Sequence, residues 1–512
     1  MNSKAREDGT GLTGKLEEDL ALFQGKMERC SDVEYHKFTL QSGKQGYLIF
    51  IAGMTDDTRL QMEVIDPLSR MESEQDLSGT LKTAGNGGNA KDLSGSSSDA
   101  GQLRTEMELE QGLTGLCKGD TIAILDGCRK ILLVSLSKWE QRSVEEPASE
   151  PVIRGARDGF TESLQTNTTL IRRRLATPDL KVESIQVGTL SKTDMELVYL
   201  DSVVMPGLVD EVKQRIQRIV IDTVLESGYI EELICDNPFS VFPQVINTER
   251  PDRAVSGIVE GKVVILVDNT PFVLVVPGLF VETLQASEDY YQNYIFSTMT
   301  RFLRLGLAIG ALVFPSIYIA LTTFHQEMIP ASLLLSIAAS REAVPFPALI
   351  EAILMEASFE GLREAGIRLP RPVGQAVSIV GALVIGQAAV QAGIVSATLV
   401  IVVSFTGIAS FIFPIYSQGL AFRVMRFPMM LLAGSLGLYG IFLGLLVLLI
   451  HLVKLRSFGV PYLSPIIPLQ AAGLKDVFVR FPWWSMKERP LQTGKANLRR
   501  MKGNMRPRPP KS

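Results

Sequence analysis

Histidine is nearly absent, at three in 512 residues, and the four cysteines, Cys30, Cys117, Cys128 and Cys235, form no Cys-x-x-Cys pair. Zinc sites and disulfide frameworks need such residues in closely spaced sets, so neither is expected, and the thiols read as free groups in a reducing compartment. Also lacking are a P-loop, a Gly-x-Ser-x-Gly elbow, a His-Glu-x-x-His pair and a Gly-x-Gly-x-x-Gly turn after a strand. The chain is therefore not expected to be an enzyme or to carry a cofactor. His325, in a short polar connection, and His451, near the end of an apolar run, read as structural. The first thirty residues are polar and mixed in charge rather than a cleavable leader, so the N-terminal part is expected to stay in the cytoplasm. Basic and acidic totals nearly cancel, 51 against 55, and imply no nucleic-acid partner.

Charge itself is scarce from 302 to 453, whereas the segment beyond carries thirteen Lys and Arg against Asp476 and Glu488. The runs 302–323, 373–391, 395–416 and 429–453 are each long and apolar enough to cross a hydrocarbon core. Pro315 is placed to kink the first. Tyr290, Tyr291, Tyr294, Arg301 and Arg304 precede it as an aromatic and basic collar of the kind found at a cytoplasmic membrane interface. The run 328–359 is ambiguous, because it begins apolar and continues through Glu351 and Glu356; it reads as a span, a re-entrant element or an interfacial helix. Gly306 and Gly310, and Gly440 and Gly444, have the spacing that lets helices approach closely in lipid. Gln387 and Gln391 share a helix face and are expected to point inward, into interhelical hydrogen bonds. Arg423 and Arg426 fall between runs and read as a loop. The weight of basic residues after 453 favours an even number of spans, with that segment on the cytoplasmic side.

Upstream the pattern is α/β. Tyr47–Ala52 reads as a buried strand, and Thr55 with its two aspartates caps a helix. Apolar runs then flank the Asp126-Gly127 turn. The same plan recurs at 195–204, 206–219 and around Asp268-Asn269, which is an internal duplication. The expected organisation is a disordered 1–33, an α/β subdomain at 34–153 with a flexible insertion at 78–103, a helical linker at 154–180, a second α/β subdomain at 181–288, a transmembrane domain at 289–455 and a basic tail at 456–512. The fold class is thus a soluble α/β region of two similar subdomains followed by an all-α multi-pass membrane domain. Arg172, Arg173 and Arg174 in the linker read as a solvated helix face, or else as a subunit-contact or lipid-headgroup element.

Several segments, in order, resemble GerA-family spore germination proteins. In the apolar half they are Thr322-Thr-Phe-His-Gln-Glu-Met-Ile-Pro330, Val344-Pro-Phe-Pro347, Arg368-Leu-Pro-Arg-Pro372 and the run 374–390, with Arg456-Ser-Phe-Gly-Val-Pro-Tyr-Leu-Ser-Pro465 after it. Upstream they are Arg154-Gly-Ala-Arg-Asp-Gly-Phe-Thr-Glu162, Ser227-Gly-Tyr-Ile-Glu-Glu232, Phe242-Pro-Gln244 and Thr248-Glu-Arg-Pro-Asp252. The resemblance is to the A subunit of the germinant receptor. It implies residence in the spore inner membrane, work with a transporter-like, nutrient-binding B subunit and a lipoprotein C subunit, homo-oligomerisation, and action as a nutrient-gated ion channel. A secondary transporter and a non-conducting scaffold are the alternatives; the clear repeat lies in the soluble half, which disfavours the transporter. For a pore, the helix after Pro347 offers the most polar membrane segment. Glu356, Glu360, Arg363 and Glu364 fall on one stripe, within about 100° of one another, with Glu351 well off it. A ring of such carboxylates from several copies would favour cations. The plainer reading is an interfacial helix with a wet face.

Overall fold

The structure is a computed structural model that describes residues 12–41, 43–66, 103–106, 109–129, 131–137, 147, 150–369, 386–470, 473–489, 497–502 and 505–507. The expected insertion at 78–103 lies outside these, apart from its last residue.

Subdomain 1 is built from α1 (Leu16–Lys26), β1 (Val33–Thr39), β2 (Gln45–Ile51), β3 (Leu103–Glu106), α2 (Leu109–Leu116), β4 (Thr121–Leu125) and β5 (Ile131–Val134). Its antiparallel sheet has the order β1-β2-β4-β5-β3. Subdomain 2 contains α3 (Leu164–Arg174), β6 (Leu180–Val187), β7 (Thr193–Leu200), α4 (Leu208–Gln217), α5 (Ser227–Ile234), β8 (Ile246–Thr248), α6 (Pro251–Val259), β9 (Val263–Val267) and β10 (Val273–Val276). Its sheet repeats the order as β6-β7-β9-β10-β8. The central strands read as unbroken apolar runs because both faces are covered: Ile49 and Ile51 join one core cluster, Leu48 and Phe50 another.

The equivalence extends to single hydrogen bonds. Asp126 and Asp268 each follow the third strand of the sheet order and accept from the first amide of a helix, Leu16 N–H and Leu164 N–H. Asp19 and Asn167 each accept from a threonine amide just ahead of that helix, Thr13 and Thr161, both at 2.7 Å. This pairing corrects the N-terminal boundary. Part of the supposedly disordered 1–33 is α1, whose Leu16, Leu20 and Phe23 are buried against the sheet. The supposed linker 154–180 contains α3, the counterpart of α1 in the second unit. Arg172 is not solvated either. It is 1% exposed and holds Asp32 of subdomain 1 through two bonds of 2.6 and 2.7 Å. Beside it, Ser31 N–H donates to Val182 O, so the chain ahead of β1 runs along β6.

The C-terminal part is helical: α7 (Tyr294–Thr323), α8 (Ala331–Arg341), α9 (Ala348–Arg368), a helical segment at 386–391, α10 (Ala397–Ala409) and α11 (Tyr416–Lys454). Two of these, α7 and α11, are long and apolar enough to cross a membrane by length and composition. The latter is not one rod. At Gly437 the backbone turns to φ 62°, ψ −142°. Phe422 and His451 both lie against Phe242, with ring centroids 6.2 and 6.1 Å away. In a straight helix those residues would stand about 43 Å apart. The element is therefore a hairpin with halves 416–436 and 438–454. Gly440 and Gly444 form its seam: a Cβ on Gly440 would sit 2.0 Å from the Leu432 carbonyl oxygen, and one on Gly444 2.5 Å from Met429 Sδ. The hairpin tip meets Phe324 and His325 at the far end of α7. The expected single run 429–453 is thus part of both arms.

After α11 the chain returns to subdomain 2. Phe280 N–H donates to Tyr462 O, Ser457 Oγ donates to Gln244 O, and Arg500 pairs with Glu260. The expected collar is mostly an internal network here, with Arg301 and Arg304 buried on Asp289 and Arg301 also on Asp476.

Removing Asp32 strands the buried Arg172 guanidinium, so Asp32→Ala should cost about 3–5 kcal/mol, and Asp32→Ala with Arg172→Leu should recover most of it. Thermal unfolding of the purified full chain in detergent measures both; equal losses in the single and double variants would refute the pairing.

Candidate functional site: a buried charge ladder

Helix α9 runs antiparallel to the first half of α11, which the contacts of Gly434 with Leu349, Arg426 with Glu356 and Arg423 with Glu360 fix in order. Glu356 is fully buried. Arg426 Nη1 lies 2.5 Å from its Oε2, and Thr406 Oγ1 of α10 donates to Oε1 at 3.0 Å. Arg426 Nε donates in turn to Ala311 O of α7 at 2.8 Å. One ion pair therefore ties four helices. Pro315 lies one turn further along α7.

One turn on, Glu360 accepts from Arg423 at 3.0 Å and from Arg363 at 3.2 Å. Arg363 also donates to Ser410 Oγ at 2.6 Å and stacks on Phe359 and Phe411. At the other end Glu351, fully buried, accepts from Ser396 N–H and lies 3.8 Å from Arg341. Ser396 Oγ meets Tyr318 of α7 at 3.0 Å.

These positions revise the expectations. Glu356 does not share a wet stripe with Glu360, because its carboxylate is consumed by Arg426 within the same chain. Glu351, expected well off the stripe, turns into the α10 N-terminus. Arg423 and Arg426 are helical and partnered, not loop residues. Gln387 and Gln391 do not point inward; both are exposed on the single chain. The guanidinium partners had a signal in the sequence. Carboxylates within an apolar stretch need counter-charges, and between 302 and 453 these are all arginine, without one lysine.

A separate cavity of about 290 Å³ lies where subdomain 2 meets the start of α11, lined by Glu150, Glu226, Glu231, Asn247, Tyr416 and Ser417 among others. Burial, and then the neighbouring Glu226, pushes Glu231 up to about 7.

A family model described as Bacillus/Clostridium GerA spore germination protein matches residues 21–492. The chain belongs to the GerA family. It is 43% identical to spore germination protein KA of Bacillus subtilis (strain 168) over 97% of this chain and 90% of that one. It is 41% identical to spore germination protein GerLA of Bacillus cereus, over 95% and 98%. It is also 44% identical to the Bacillus subtilis membrane protein YfkQ, over 94% and 91%. Among solved structures it is similar to the N-terminal domain of the A subunit of the Bacillus megaterium spore germinant receptor GerK3, at 29% identity and a TM-score of 0.41, covering 53% of this chain and 98% of that one.

Two measurements probe this GerA-family site. Glu356→Gln leaves Arg426 buried without a counter-charge, so the full chain should lose about 3–5 kcal/mol and fall in membrane level, whereas Glu356→Gln with Arg426→Met should recover the level. Immunoblots of membrane fractions read the outcome; an unchanged level in the single variant would contradict the ladder. For Glu231 the folded state holds its proton more tightly than the unfolded chain, whose value is near 4.5. Stability is then undiminished below about 4.5 and declines as pH rises towards 7. Glu231→Gln should flatten that slope between pH 5 and 7 in melting curves of the purified chain.

Proposed function

We propose that the chain is the A subunit of a nutrient-sensing germinant receptor. It resides in the spore inner membrane with the α/β region on the core side, works with a transporter-like B subunit and a lipoprotein C subunit, and oligomerises around an ion path. Family membership and the names of the relatives support the receptor role. The observation that carries the membrane reading is the contrast within the helical part. Glu356, Glu360, Arg423 and Arg426 turn inward onto one another, while Phe302, Ile309, Ile401, Ile408, Phe442 and Val447 are among the many apolar side chains left outward. A soluble protein hides such residues; a bilayer rewards their exposure. The return of the segment after Lys454 to subdomain 2 supports an even number of crossings.

In this reading Glu356 and Glu360 act as locks, not as a bare carboxylate ring. Arg426 and Arg423 hold them in one register, and a conducting state requires those pairs to shift together. Glu351, on the α10 N-terminus, sets where α10 begins relative to α9. That every one of these carboxylates is engaged within one chain also suits a non-conducting scaffold, the second reading.

Carbonate washing of membranes should leave the full-length chain in the pellet; recovery in the supernatant would sink the membrane assignment. Cation flux through purified chain in liposomes then separates channel from scaffold. Flux per reconstituted chain that is altered in Glu356→Gln with Arg426→Met, whose membrane level is normal, supports the lock. Unaltered flux in that variant removes it, and absence of flux from the wild-type chain and from the assembled receptor alike favours the scaffold.

A further inference from the structure

Phe239 is 95% exposed, more than any other described large apolar side chain. Its loop is not slack. Asn237 N–H donates to Gln244 Oε1 at 2.9 Å, and Gln244 Nε2 donates to Asn237 O at 2.7 Å. Phe239 N–H donates to Asn237 Oδ1, Ser240 N–H to Asn237 O, and Phe242 N–H to Ser240 Oγ. Gln244 itself is buried. A loop cross-bonded in this way holds its backbone in one shape with Phe239 outward.

The loop's height against the helical part is fixed by the residues that follow Phe239. Ser240 Oγ lies 2.9 Å from His451 Nε2. Phe242, 2% exposed, packs between Phe422 and His451. His451 sits in the last turn of α11, flanked by the outward-facing Ile450 and Val453. Directly after them come Lys454 and Arg456, both exposed and neither in an ion pair with a described residue. The sequence of environments along this edge is apolar belt, Phe239, then free cations. That is the order of acyl chain, interfacial aromatic and anionic headgroup across one leaflet.

We infer that the Phe239 loop of subdomain 2 is a membrane anchor whose partner is the bilayer surface, with the ring at the acyl–headgroup boundary and Lys454 and Arg456 facing anionic lipid phosphates. The inference rests on the membrane reading above. It assigns the soluble region a direct hold on the lipid, in addition to its covalent link through α7. Leu233 and Val241, exposed on the same part of subdomain 2, widen the apolar contact.

The test is photo-cross-linking of the full chain in its native membranes with p-benzoylphenylalanine at position 239. A control at Met62, exposed on subdomain 1, measures background. A phospholipid mass on the peptide bearing residue 239, several-fold above that at 62, is the expected result. A cross-link from 239 to a protein subunit, or lipid labelling no higher than at 62, overturns the anchor. Carbonate washing of the same membranes separates the two failures. A chain that pellets but takes no lipid at 239 loses only the anchor, whereas a chain washed into the supernatant loses the membrane reading as well. Phe239→Leu should keep the chain's salt-resistant attachment and Phe239→Asp, on the surface and so tolerated by the fold, should leave subdomain 2 more open to protease; identical digestion of both also overturns it.

Discussion

The helical half depends on one buried ion pair. Glu356 and Arg426 are each almost wholly removed from solvent, and a lone charge there would be expensive whether the surroundings are lipid or protein. The pair is made more tolerable by two further helices, whose Thr406 Oγ1 and Ala311 O bond the carboxylate and the guanidinium. Those bonds have direction and length, which apolar contacts lack. Leucines in a bundle can slide past one another at little cost, but Arg426 can meet Glu356 and Ala311 in only one register. The arrangement of α7, α9, α10 and the first arm of α11 follows from it, and Glu360 with Arg423 repeats the constraint a turn away.

Much of the α/β half was legible because sheets buried on both faces leave plain traces. Tyr47–Ala52 and 263–267 are continuous apolar runs ending in turns, and the Asp126 and Asp268 turns carry the repeat. Helix α1 was not legible. Glu17, Glu18 and Asp19 crowd its first turn and give it the composition of a frayed end. Yet Leu16, Leu20 and Phe23 have the four- and three-residue spacing of an apolar helix face, and that spacing outweighs composition once a sheet is present to cover it. In the helical half the length of apolar runs was readable but not their folding. A water-exposed hairpin announces itself with polar turn residues. The α11 hairpin turns on Gly437 alone, within an otherwise uniform run, because its tip packs on Phe324 and His325.

The charge ladder was half legible. Glu351, Glu356 and Glu360 stood out at once as carboxylates in an apolar stretch. That their counter-charges are arginines was readable, but which arginine meets which carboxylate was not, since Arg423 and Arg426 lie 63 and 70 residues further along and local periodicity says nothing of such distances. A helical stripe computed for one helix treats its neighbours as absent, so it placed Glu356 with Glu360 on a wet face that α11 in fact covers. Gln387 and Gln391 misled for the same reason: a shared face is a property of one helix, whereas inward or outward depends on what packs beside it.

The bond between Arg500 and Glu260 joins residues 240 positions apart. A ribosome adding about 5–20 residues per second needs roughly 12–48 s to travel that far. Within that interval, once Tyr290 has been added, the face of subdomain 2 bearing Glu260 and Tyr290 has been made while its cover, Trp483 and then Arg500, is still to come. Synthesis order thus leaves one flank of the soluble region open until the described helices α7 to α11 have emerged, and closure of that flank reports that the chain has been delivered as far as Arg500.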